Sequence, residues 1–151
     1  MAGKLRAGVV GSGIIGKSHV RGYAGMRDDV DLVAIADLDQ DEAKRVAAEH
    51  NIPNVFSDYR DLVARNDLDT VDVCLPNFLH APVTIAALEA GKHVFCEKPM
   101  AGVGAEAQTM YDVAQTAGKQ LHVQMGTVFS KETRTAKYLI DEGALGRVYY
   151  A

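Results

Sequence analysis

Apolar positions along the chain follow two alternating rhythms: short unbroken runs, and longer stretches with helical spacing. The runs are Leu5, Ala7, Val9 and Val10, then VDLVAIA (Val30 to Ala36), Val55-Phe56, TVDVCL (Thr70 to Leu75), KHVFC (Lys92 to Cys96) and QLHVQ (Gln120 to Gln124). Between them lie stretches that place small and apolar residues every three or four positions, the period of a helix face. The first covers Ile14 to Met26. The second opens at Asp39 and Glu42, a D-x-x-E cap, and carries Ala43, Val46 and Ala47 on one face through about Glu49. Ile52-Pro53 breaks it, which leaves Val55-Phe56 as a short edge strand. Ser57 or Asp58 caps a brief helix through about Ala64, and Ala81 to Ala90 ends at Gly91. Gly104 to Ala117 places Ala107, Met110, Val113, Ala114 and Ala117 together and stops at Gly118. Strands alternating with helices predict right-handed βαβ units. The expected fold is α/β: a doubly wound, six-stranded parallel sheet with helices on both faces, filling residues 1–125.

Residues 126–151 break the rhythm. Met125 to Ser130 is irregular, and Lys131 to Glu142 reads as a helix with Ala136, Leu139 and Ile140 inward and Gly143 as its cap. Gly146 to Ala151 carries β-favouring Val148, Tyr149 and Tyr150 and is expected to be a strand. A linker helix and one strand make the start of a truncated second α/β domain. The alternative is that this strand extends the existing sheet or pairs with another copy.

The junction of the first strand and first helix reads Gly11-Ser12-Gly13-Ile14-Ile15-Gly16. G-x-G-x-x-G between a strand and a helix is a dinucleotide fingerprint, and it makes the expected fold a Rossmann domain. Gly11 serves the tight turn, Gly13 the close approach of backbone to pyrophosphate, and Gly16 the packing of helix on sheet. The phosphates are expected at the Ile14-Ile15 end of that helix, where free N–H groups and the helix dipole favour negative charge. Asp37 closes the next strand about 20 residues further on, where an acid for the ribose hydroxyls belongs. A 2′-phosphate there would meet its charge, at a cost of roughly 3 kcal/mol for a separation of about 5 Å and an effective dielectric of about 20. No arginine follows at once, since the next residues are Leu38, Asp39 and Gln40. NAD is therefore expected over NADP.

Composition narrows the field. The chain has 151 residues, 48% hydrophobic and 24% charged, which fits a globular domain able to bury a core. A net charge of −4 with scattered Lys and Arg argues against nucleic acid as a partner. The N-terminus lacks the apolar core of a signal peptide, and no run reaches membrane-spanning length, so a cytoplasmic protein with no membrane partner is expected. Cys74 and Cys96 fall in apolar runs and read as buried free thiols. His19, His50, His80, His93 and His122 show no metal-ligand spacing, and no metal site is expected.

Two further motifs fall at strand ends, where open parallel sheets bind ligands. Pro76-Asn77-Phe78-Leu79-His80 follows the fourth strand, and Glu97-Lys98-Pro99 follows the fifth. Lys98 is the only lysine at a strand's carboxyl end. Partial desolvation there would weaken its hold on its proton and suit it to proton exchange or to polarising a carbonyl.

The segments GSGIIGKSH, LPNFLHAPVTIAALEAGKHVFCEKPMA and LIDEGALGRV, with Asp37, together resemble the glucose–fructose oxidoreductase / inositol dehydrogenase / MocA family, over its cofactor-binding half. The resemblance implies that Lys98 is catalytic, working near the nicotinamide, and that Glu97 and Pro99 complete its motif. It implies that Pro76, Asn77 and His80 lie beside the cofactor, with His80 fixing its loop onto the helix. His19 also stands at a family position and is expected to serve the helix surface or packing. The implied reaction is reversible hydride transfer between nicotinamide and a secondary hydroxyl of a sugar, cyclitol or related polyol, and the implied full-length state is a homo-oligomer. Gly126-Thr127-Val128-Phe129-Ser130 departs from the arginine and aromatic pattern many members carry. The family's further catalytic Asp and His belong to a second domain, so this chain alone is expected to bind nucleotide with little or no turnover. A second reading is a nucleotide sensor without redox chemistry, which would have no need of Lys98. A third, S-adenosylmethionine-dependent methyl transfer, is disfavoured by the complete glycine pattern and by E-K-P.

Overall fold

The computed structural model describes residues 3–150. Six parallel strands form one sheet: β1 (Leu5–Val10), β2 (Val30–Ala36), β3 (Asn54–Phe56), β4 (Thr70–Val73), β5 (His93–Cys96) and β6 (Leu121–Val123). Their order is β3-β2-β1-β4-β5-β6, so the winding reverses between β1 and β4. The helices are α1 (Ile14–Ala24), α2 (Gln40–His50), α3 (Tyr59–Val63), α4 (His80–Glu89), α5 (Gly104–Ala117) and α6 (Lys131–Asp141).

Sequence chemistry sets the element ends. Asp39 caps α2 by accepting from the Glu42 N–H, Asp58 caps α3 through Arg60 N–H, and Gly118 stops α5 in the left-handed region. Only half of the D-x-x-E box forms, because Glu42 turns to Lys17 and Arg45 (2.8 and 2.7 Å). Strand residues alternate between two cores. Val10, Ala36, Val71, Val73, Val94 and Cys96 face α3, α4 and α5. Val9, Ile35 and Cys74 face Val20 of α1 and Val46 and Ala47 of α2. Lys92 enters β5 buried, its ammonium donating to the carbonyls of Arg65 (2.6 Å) and Leu68 (3.0 Å).

The second face is covered unevenly. Two helices, α1 and α2, lie on it, and the half formed by β4, β5 and β6 opens into a cavity of about 790 Å³. Beyond β6 the structure departs from expectation. No strand forms over residues 146–150, which are exposed and unpaired; Ala151 lies outside the described residues. On α6, Leu139 is half-buried while Ala136 and Ile140 are exposed, so the expected inward face packs against little. An apolar stripe needs a surface to meet, and among the described residues none lies against it. No helix among these residues is long and apolar enough to cross a membrane.

The glycine turn is the tightest point of the fold. Gly11 has φ +107°, and a Cβ on it would collide with the Cys74 carbonyl. A Cβ on Gly16 would collide with the carbonyl of Gly11, whereas around Gly13 there is open space. Thermal or urea unfolding should therefore show Gly16→Ala destabilised by about 1–3 kcal/mol, the usual cost of overpacking. Gly13→Ala should cost under about 1 kcal/mol, since only the cap position changes.

Candidate cofactor and active site

Four loops meet at the carboxyl edge of the sheet, around the β1/β4 switch point where doubly wound sheets bind ligands. The turn after β1 carries Gly11 to Gly16, the end of β2 carries Asp37, the β4 loop carries Pro76 and Asn77, and the β5 loop carries Glu97, Lys98 and Pro99. The turn is tied down by Gly11 N–H donating to Ala36 O (2.8 Å) and Cys74 N–H donating to Val10 O (2.8 Å). Gly13 is the N-cap of α1 and offers no side chain to the first-turn N–H groups. Those groups remain available, flanked by exposed Ile14 and Ile15. A helix N-terminus with its donors free and a bare backbone at Gly13 suits a pyrophosphate. The donor set fits a dinucleotide.

Asp37 sits at the end of β2 and is already engaged. Its Oδ2 accepts from Ser12 N–H (2.6 Å) and Ser12 Oγ–H (2.8 Å), and its Oδ1 accepts from Asp39 N–H (2.9 Å). A carboxylate has about four acceptor positions, so one remains and the rotatable Ser12 hydroxyl can release a second. Sequence reading treated Asp37 purely as a ribose ligand and missed its role in bracing the glycine turn.

Pro76 and Asn77 are exposed at the start of a single 3-10 turn that leads into α4. His80 is fully buried at the start of α4; its Nδ1 lies 2.6 Å from Pro99 O and its Nε2 2.7 Å from Leu75 O. It therefore joins the β4 and β5 loops to each other. The Lys98-Pro99 bond is cis. Lys98 is exposed, so the described residues do not supply the desolvation expected around it; the half-sheet beside it is open.

Of the two roles expected for His19, helix surface or packing, the structure shows the second. It is not a surface residue but stands between two acids, Nδ1 at 2.8 Å from Asp72 Oδ2 and Nε2 at 3.1 Å from Glu97 Oε1. Asp72 is fully buried in the middle of β4. It was missed because TVDVCL reads as an apolar run; an acid at an inward position of a central strand was the available signal. The hydrogen bond to Asp72 raises the His19 imidazole above its ordinary value, against the opposing effect of burial, and the charges of Asp72 and Glu97 add to the rise. Burial first, then Asp72, raises the Tyr23 phenol and the Cys74 thiol, and burial pushes the Cys96 thiol up to about 11. Both thiols are free.

Residues 5–125 match the family described as oxidoreductase family, NAD-binding Rossmann fold (GFO_IDH_MocA). The chain belongs to that family. It is 36% identical over 152 residues to levoglucosan dehydrogenase of Pseudarthrobacter phenanthrenivorans, covering 95% of this chain and 39% of that protein. It is 36% identical over 146 residues to inositol 2-dehydrogenase of Salmonella typhimurium, covering 95% of this chain and 43% of that one. A levoglucosan dehydrogenase solved in complex with NADH superposes with TM-score 0.85 at 35% identity, over 96% of this chain and 41% of that one. The chain thus spans about two-fifths of the length of these relatives. It is the Rossmann part of an NAD-binding oxidoreductase family whose members include sugar and cyclitol dehydrogenases.

The family resemblance read in the sequence is correct, as are the doubly wound fold and the nicotinamide cofactor. The His19 shift carries a measurable consequence. A group whose folded pKa is raised contributes stability that is fully present below its unfolded value, about 6.5, and is lost as pH rises through the folded value. Urea unfolding from pH 6 upward should show this loss, and His19→Gln should flatten that part of the profile.

Proposed function

We propose that the chain is the cofactor-binding half of an NAD-dependent dehydrogenase acting on a secondary hydroxyl of a sugar, cyclitol or related polyol. One observation carries the reading: a glycine turn open at Gly13, an acid at the end of β2 and a lysine at the end of β5 converge around one switch point. The similar proteins, named for levoglucosan and inositol, support the substrate class.

In this reading the α1 N-terminus and Gly13 hold the pyrophosphate, Asp37 binds the adenosine ribose, and Pro76, Asn77, Glu97 and Pro99 border the nicotinamide end. His80 locks the two loops that carry these residues (2.6 and 2.7 Å to their carbonyls). The nicotinamide, when bound, accepts or returns the hydride. Lys98 takes the proton of the substrate hydroxyl during oxidation and gives it back during reduction. The exposure of Lys98 implies that substrate and the rest of the protein supply the dry surroundings such a proton transfer needs.

A thermal-shift titration with NADH and, in parallel, NADPH tests the cofactor assignment. A ligand at about 100 times its Kd stabilises the fold by about 2.7 kcal/mol. NADH should raise the melting temperature clearly and NADPH much less; no shift with either would overturn the reading. Asp37→Ser should narrow the NADH/NADPH difference and, by releasing the brace on Ser12, also lower the melting temperature without ligand. An unchanged ratio would remove Asp37 from cofactor selection.

A further inference from the structure

His19 and Asp72, which cofactor binding leaves unused, form a cluster with Glu97 at the foot of the lysine loop. It spans three elements. Asp72 lies at the centre of β4, His19 on the second turn of α1, and Glu97 directly after β5. The side chains are nearly dry: His19 is 11% exposed, Asp72 1% and Glu97 12%. The contacts run in series. Asp72 Oδ2 lies 2.8 Å from His19 Nδ1, and His19 Nε2 lies 3.1 Å from Glu97 Oε1. Glu97 Oε2 then accepts from the Lys98 N–H at 3.0 Å. Each Glu97 oxygen thus has its own partner, one on the histidine and one on the lysine's backbone.

We propose that His19, backed by Asp72, is a positioning residue for Lys98, acting as an imidazolium that fixes Glu97 so that Glu97 can hold the lysine's backbone. This rests on the reading of Lys98 as the proton-exchanging group. The physical reason is one of donors and acceptors. An ionised carboxylate only accepts, and a neutral imidazole has one N–H for two facing acids. The doubly protonated ring donates to both, whereas loss of either proton turns a lone pair on one carboxylate and releases it. Asp72 is the more buried acid and is held on another side as well, where Cys74 Sγ–H donates to its Oδ1 at 3.4 Å. Glu97 is the freer partner. Deprotonation of His19 therefore loosens Glu97 and, through it, the Lys98 turn.

The titratable groups that face the ring can be named element by element. They are Asp72 on β4, Cys74 directly after that strand with its Sγ 3.3 Å from Nδ1, Glu97 after β5, and Tyr23 one turn further along α1 itself. Phe95 of β5 packs beside the ring at 5.7 Å between centroids, and His122 of β6 stacks beyond it on Phe95 at 4.9 Å. The only cation in the cluster is the imidazolium, set between two acids. Because α1 begins at the glycine turn, one side chain connects the helix that receives the phosphates to the loop that carries the lysine.

The test is a two-site NMR titration of this chain, following the His19 ring nitrogens and the Lys98 amide. The expected result is a His19 midpoint above 6.5, with the Lys98 amide proton moving upfield as the ring loses its proton, at the same midpoint. His19→Gln, which keeps one donor but no charge, should abolish that pH response of the Lys98 amide. Glu97→Gln should lower the His19 midpoint and abolish the same response, so the test stands even if one variant fails to fold. A Lys98 amide that ignores the His19 midpoint, or a response that survives both variants, would overturn the proposal. NADH titration of the unmodified chain reads the cofactor assignment separately. A coupled titration without NADH binding would sink the proposed function and keep the coupling, and binding without coupled titration would do the reverse.

Discussion

The fold depends on one place where three backbones come too close for side chains. Gly11 turns with a positive φ beneath the Cys74 carbonyl, and Gly16 brings α1 onto the carbonyl of Gly11. This contact brings the end of β1, the start of α1 and the end of β4 together, and those three pieces define the switch point. A helix that sits so low points its free N–H groups at the crevice rather than past it. Packing and the open peptide edge thus have one cause here: without Cβ atoms at Gly11 and Gly16 the helix sits low, and the backbone at Gly13 lies open.

The acids show how the same geometry is reinforced electrostatically. Asp37 and Asp72 both come from strands and both reach toward α1. One braces the turn through Ser12, and the other holds His19 on the helix's next turn. Of the two, only Asp37 lies at the start of that helix, where the dipole favours a negative charge. Asp72 is buried and so relies on its hydrogen-bond partners, since an isolated carboxylate in that position would be costly. His19 is one such partner, supplied by the helix that the glycine turn positions, and the Cys74 thiol is another.

Most of this was legible in the sequence where local chemistry decides structure. The spacing Gly11, Gly13, Gly16, the caps at Asp39 and Asp58 and the stop at Gly118 follow from backbone rules that act within a few residues. The loops after β1, β2, β4 and β5 could be placed side by side because parallel sheets put all such ends on one edge. What could not be read was long-range. The Asp72–His19–Glu97 series joins residues 53 and 78 positions apart, and nothing in TVDVCL or EKP names a partner. The second role of Asp37 was hidden for the same reason. The end of the chain failed differently. Val148, Tyr149 and Tyr150 have the propensity of a strand, but propensity forms a strand only where a neighbouring edge accepts it, and here they remain exposed.

The uneven cover of the sheet sets a gradient of rigidity across the site. β1 and β2 lie between two helical layers, while β5 and β6 carry α4 and α5 on one side and a cavity on the other. Local opening costs least where fewest apolar contacts must break. The end of the crevice at the glycine turn is therefore the stiff side of the sheet, and the three-residue β6 next to the lysine loop is its soft side. A ligand lying across both would meet a fixed anchor at one end and a yielding surface at the other.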